Sequence, residues 1–191
     1  MKSLRRRHAL AGLGMTLAGC TTGYNPIVVT QSSASNLSQQ KLRRVLIAIS
    51  VHRAKLTKDQ NLSLLQVEEL KRSFEAKWPP IGIAVEVINL DGAPDSGRPL
   101  IASVNAHFQA GHWLYLQPVS YRFRDHFVIE YEIDATLFDA VTRKRIWRAA
   151  SQLPDSWKIG EKDYASGSRR QVAADRYVDS LTAKLREDGL V

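Results

Sequence analysis

Hydrophobic and polar positions divide this chain into eight segments of regular structure. Arg44–Ser50 (RVLIAIS) is nearly continuous in apolar, mostly branched residues and predicts a buried strand. Val51–Gln60 is polar and basic and reads as a loop. Ser63-Leu64-Leu65-Gln66 has the S-x-x-Q form that satisfies free N–H groups at a helix start. Leu64, Val67, Leu70, Phe74 and Trp78 then recur at spacings of three and four, giving one apolar helix face that Pro79-Pro80 ends. Ile81–Leu90 (IGIAVEVINL) predicts a second strand, and Asp91–Gly97, with two glycines and Pro94, a loop. Pro99 suits the first turn of a second helix. Its buried face is expected from Leu100, Ile101, Val104 and Phe108, with Gly111 as its end.

The period then changes to two. Trp113–Phe123 alternates, which predicts Tyr115, Val119, Tyr121 and Phe123 on one side. After a turn at Arg124-Asp125-His126, Val128–Phe138 alternates cleanly. Ile129, Tyr131, Ile133, Ala135 and Leu137 are set against Glu130, Glu132, Asp134 and Thr136. Asp139–Arg143 turns again and Lys144–Ala150 (KRIWRAA) is a further strand, so hairpin logic gives three adjacent antiparallel strands. Leu153–Gly167 is polar and reads as a loop; Ser168–Asp188 is a last helix with Ala174, Val178, Leu181 and Leu185 inward and Gly189 as its stop. The expected fold is α/β, a single mixed sheet covered by three helices, in the order β-α-β-α-β-β-β-α. The first two crossovers favour parallel strands with right-handed connections.

The amino terminus breaks with this pattern. Met1–Arg7 is basic, Ala9–Ala18 is small and apolar, and Leu17-Ala18-Gly19-Cys20 follows. The apolar run is too short to span a bilayer as a helix, which takes about 20 residues, and fits a cleaved export signal. Cys20 is the chain's one cysteine, which excludes an internal disulfide framework. Leu17-Ala18-Gly19-Cys20 resembles the bacterial lipobox. That resemblance implies signal-peptidase recognition of Leu17, Ala18 and Gly19, cleavage before Cys20, and covalent lipid on its sulfur and new amino group. It implies no other cofactor. Arg6-Arg7-His8-Ala9-Leu10 also looks like a twin-arginine export motif. Thr21 stands where an aspartate usually marks inner-membrane retention in such lipoproteins, so the resemblance favours the outer membrane, periplasmic face. The expected organisation is a signal peptide over 1–19, a lipidated cysteine with a flexible tether over 20–40, and a periplasmic domain over 41–191. The tether is rich in Ser, Thr, Gln and Asn; only Ile27-Val28-Val29 is apolar enough to dock on the domain. As free coil its r.m.s. span is about 25 Å.

Charge and composition narrow the function classes. The 191 residues carry a net charge of +8, which falls to +4 once Lys2, Arg5, Arg6 and Arg7 leave with the leader. That balance, spread along the chain, is the charge of an ordinary basic domain, not of a nucleic-acid binder. Glu130, Glu132 and Asp134 form a carboxylate row that suits a divalent cation or acid/base chemistry. Arg122 and Arg124 on one flanking strand and Lys144 and Arg148 on the other make cross-strand ion pairs the simpler expectation. His52, His107, His112 and His126 fall at no metal-ligand spacing, G-x-S-x-G is absent, and Gly92 and Gly97 form no phosphate loop. Trp113 and Trp147 are expected in the sheet core. Trp157, in a polar loop, is the candidate partner contact.

Ile133–Ala140 followed by Arg145-Ile146-Trp147-Arg148-Ala149 resembles the hairpin of small proteobacterial lipoproteins. Their domain is similar to the amino-terminal domain of TolB and to the curli-secretion lipoprotein CsgG. Tyr177–Val191 is similar too. Thr142-Arg143-Lys144 replaces the usual glycine of the turn. The resemblance implies a non-catalytic periplasmic domain that docks on other envelope proteins, and it transfers no catalytic residue. The expected partners are the membrane, through the lipid, and envelope proteins, with homo-oligomers a further possibility. The competing expectation is a metal-assisted periplasmic hydrolase using Glu130, Glu132 and Asp134.

Overall fold

A computed structural model describes residues 28–30, 41–50, 67–90, 98–124, 127–154 and 167–191. The strands are β1 (Val28–Thr30), β2 (Arg44–Ile49), β3 (Ala84–Asn89), β4 (His112–Arg124), β5 (Phe127–Asp139) and β6 (Arg145–Pro154). The helices are α1 (Val67–Lys77), α2 (Arg98–Phe108) and α3 (Gly167–Glu187). The sheet is mixed, in the order β1-β6-β5-β4-β2-β3. β2 runs parallel to β3 and β4, while the β4–β5, β5–β6 and β6–β1 pairs are antiparallel.

Connection direction explains the layers. The chain steps outward from β2 to β3 through α1, then back across β2 to β4 through α2. Right-handed crossovers in opposite directions place their helices on opposite faces. Accordingly α1 and α3 share one face over the main core, where Val45, Ile47, Leu114, Ile133, Leu137 and Trp147 meet Leu70, Phe74, Tyr177, Val178 and Leu181. α2 covers the second face alone, over Leu46, Ala48, Ile88 and Leu90.

Two buried polar links tie α3 into the main core. Trp78 donates its indole N–H to Thr182 Oγ1 at 2.9 Å, and Ser151 Oγ donates to the Tyr177 hydroxyl at 3.3 Å. Burial raises the Tyr177 pKa, so the phenol stays neutral and serves the hydrogen-bond network. Gly189, at φ 80°, closes α3 with the left-handed turn expected of it, and Leu190 N–H reaches back to Leu185 O at 2.8 Å.

Four expectations are revised. Val28–Thr30, placed in the tether, is an edge strand paired with β6 through Val28–Ser151, Val29–Ala150 and Thr30–Ala149. β6 continues to Pro154, into the segment read as loop. Leu100 is 36% exposed, and α2 buries no residue fully; Ile101, Val104 and Phe108 pack only partly against the second core. In β4 the inward residues are Leu114 and Leu116, and Tyr115 is half-buried on the other face. An irregularity between Pro118 and Ser120 inserts one residue against β5, so the alternation changes face there. In register, Tyr115 is opposite Thr136 and Tyr121 opposite Tyr131.

Candidate functional site

Glu132 and Asp134 of the carboxylate row lie on β5, on the face away from α1 and α3. Asp134 is clasped by Arg148 of β6: Nε donates to Oδ1 at 2.8 Å and Oδ2 at 2.9 Å, and Nη2 approaches Oδ2 at 2.7 Å. This two-point geometry occupies both carboxylate oxygens. Glu132 is exposed and has its own interaction, and the side chain of Glu130 lies outside the described part; its backbone pairs with Arg122. Among the described residues, no three His, Cys, Asp or Glu side chains converge to hold a metal ion. The row thus contains the expected cross-strand pairing at Asp134.

The histidines are spread apart in role. His107 is exposed, with Nδ1 at 3.2 Å from Ser103 O one turn back. His112 is half-buried with no partner for Nδ1, and burial lowers its pKa against the smaller opposing pull of Asp139. His52 and His126 lie outside the described residues, as do Leu17, Ala18, Gly19, Cys20 and Trp157. Trp147 is in the main core as expected, whereas Trp113 is half-buried on the second face.

That second face holds a feature the sequence reading missed. Because α2 sits over β2 and the start of β4, it leaves a half-open groove of about 720 Å³ between its own flank and the β5–β6 turn. The floor comes from Ile101, Ala102 and Ala106 of α2 and the cross-strand pair Trp113–Phe138; Arg98 and Arg143 stand at the rim. The volume lies within the range of small-ligand and side-chain pockets. The indole N–H of Trp113 is buried and has no acceptor. Asn105 has its side-chain oxygen engaged by Ala110 N–H at 2.8 Å, which also closes the end of α2.

The turn that carries Arg143 is held by Asp139. Its Oδ1 accepts from Val141 N–H at 3.0 Å, Thr142 N–H at 2.6 Å and Thr142 Oγ1 at 2.9 Å. These bonds, led by those from Thr142, hold the Asp139 carboxyl below its ordinary pKa. Arg143 has φ 59°, a left-handed backbone position that glycine fills without steric cost. A signal for the groove was present: Phe138 continues the polar side of β5, an apolar residue where charges are otherwise found.

A second hollow of about 440 Å³ lies on the other flank of α2, near Arg44, Glu86 and His107. Arg44 is already committed there, donating to Phe108 O and stacking 4.8 Å above the Phe108 ring. No described helix is long and apolar enough to cross a membrane.

No family model matches the chain, and no curated protein matches it. Several solved structures are similar in shape. The PelC dodecamer from Paraburkholderia phytofirmans is 13% identical, with 82% of this chain and 96% of that chain covered and a TM-score of 0.42. Lipoprotein GNA1162 from Neisseria meningitidis is 12% identical over 76% of this chain and 99% of that one, at a TM-score of 0.39. Protein XCC0632 from Xanthomonas campestris is 11% identical over 78% and 83%, at 0.36. These similar structures thus include a bacterial lipoprotein, and no residue role is carried across from any of them.

Proposed function

We propose that this chain is a lipid-anchored periplasmic lipoprotein at the inner face of the outer membrane. It acts without catalysis, as a docking factor for an envelope assembly, secretion or cell-wall machine. The observation that carries the reading is Leu17-Ala18-Gly19-Cys20 at the end of a basic, then apolar, leader. The likeness of Ile133–Ala140 and Arg145–Ala149 to the TolB- and CsgG-like lipoproteins belongs to the same reading. The clasped Asp134 supports it over the hydrolase, since a carboxylate held at both oxygens by a guanidinium is a poor metal ligand or general base.

β1 lies close in sequence to the expected lipidation site. Residues 21–27 alone separate Cys20 from the sheet, an extended reach of about 25 Å at most. β1 runs antiparallel to β6, with Val28 opposite Ser151 and Thr30 opposite Ala149. Val28, the amino-terminal end of β1, therefore lies on the Gln152–Pro154 side of β6, the side where β5 pairs through Glu130. A short anchor keeps the domain at high effective concentration beside the membrane, where weak contacts suffice.

The test is a photo-crosslinking residue at Trp157 in living cells, in the wild type and in C20A. The reading expects an envelope protein trapped by the wild type and much less of it by C20A. Equal trapping by both would remove the anchor from the mechanism, and no trapped protein from this or other surface positions would remove docking.

A further inference from the structure

The groove beside α2 combines an apolar lining with positive charge. Its floor is apolar, and its rim carries two exposed guanidinium groups, Arg98 and Arg143. Among the described residues no carboxylate forms an ion pair with either, as is also the case for Arg43, Lys144, Arg145, Arg176 and Arg186. The Trp113 indole N–H is buried without an acceptor, and the Asn105 oxygen is already engaged. The groove thus offers positive charge over an apolar floor, with no carboxylate among its described lining residues.

Arg143 sharpens the point. It occupies a left-handed backbone position that glycine fills without steric cost, and its side chain stands at the groove rim. Strain of this kind collects at functional sites, where the side chain is worth more than the local comfort of the backbone.

We propose that this groove is the docking site for an acidic segment of a partner protein, anchored by one aliphatic or aromatic side chain. The anchor lies on the Trp113–Phe138 floor between α2 and β4. Carboxylates of the segment meet Arg98 and Arg143. Charge complementarity selects this occupant, and the half-open form suits a length of chain better than an enclosed small molecule. The inference rests on the docking reading above and names the chemistry of the docked partner.

The test pans a random dodecapeptide phage library against the full-length protein in mild detergent. Selected peptides are then titrated against the wild type, R98E and R143E, with thermal unfolding as the fold control. Two or more Asp or Glu flanking an aliphatic or aromatic residue are expected in the enriched clones. Each charge reversal weakens binding at least about tenfold, and replacing the peptide's acids with Lys restores part of the loss in R143E. No enrichment, enrichment without acidic bias, or equal binding to R143E overturns the proposal. Sodium octanoate is run in parallel: if it binds in an Arg143-dependent way and no peptide does, the groove takes an amphiphile and the proposal fails. So too if R143E abolishes self-association of the chain and no peptide is selected. If the groove fails while crosslinking in cells still traps a partner elsewhere, docking stands and only this site falls.

Discussion

Trp147 of β6 donates its indole N–H to Asp188 Oδ2 at 2.7 Å, across the join between the sheet and the end of α3. The ring is fully buried, so the bond is the only route by which its one polar atom is satisfied. Lys184 lies 3.2 Å from the other Asp188 oxygen and keeps the acceptor in place. Replacing the acceptor in D188A leaves a buried donor unmet and is expected to lower stability by about 1–3 kcal/mol. W147F keeps most of the ring volume and removes the donor, so in a D188A background it should cost less than it does alone. Urea denaturation of the four proteins in the double-mutant cycle checks this.

The β5–β6 turn carries opposed effects. Arg143 at φ 59° holds a conformation that costs a non-glycine residue roughly 1 kcal/mol. R143G is therefore expected to raise the unfolding free energy in urea denaturation, and D139A, which strips three hydrogen bonds from the same turn, to lower it by about 1–2 kcal/mol. A protein stabilised by R143G that no longer binds the selected peptides would show why arginine is kept there.

His112 sets a mild acid sensitivity. Its folded pKa lies below the ordinary 6.5 because burial disfavours the charged ring, so the unfolded chain takes up its proton first as pH falls. Stability from this group is complete above 6.5 and is lost as pH drops from there toward the lowered value. Asp139 contributes in a separate window: its stabilisation is present above 3.8 and lost as pH falls through its depressed value. Melting temperatures from pH 7 to 5 should fall for the wild type and fall less for H112Q, and the difference between the two should stay constant above pH 7.

The β1 strand caps a sheet edge. A chain beginning at Lys41 leaves the β6 edge at Ala149–Ser151 without its partner strand. Unpaired edges recruit other strands. Such a chain is expected to be less stable and to self-associate in sedimentation velocity at concentrations where a chain beginning at Thr21 stays monodisperse.

The fold was legible wherever one periodicity governed a whole element. Val67, Leu70, Phe74 and Trp78, and later Ala174, Val178, Leu181 and Leu185, are buried along single helix faces as their spacing implies. The β4 alternation misled because an extra residue after Pro118 exchanges the faces, and a bulge leaves no trace in a binary pattern. Val28–Thr30 is too short for period two to distinguish a strand from a linker, and only pairing with β6 defines it. The groove was hidden for another reason. It follows from α2 standing alone on its face and from the conformation of Arg143, both consequences of topology, although Phe138 among the carboxylates of β5 pointed to it.

The account turns on Cys20. The most direct measurement is metabolic labelling with an alkyne-bearing palmitate, followed by density-gradient separation of inner and outer membranes, for the wild type and C20A. The account predicts label on the wild-type chain in the outer-membrane fraction, no label on C20A, and C20A released from that fraction. An unlabelled wild-type chain, or C20A remaining in the outer membrane at wild-type level, would contradict it.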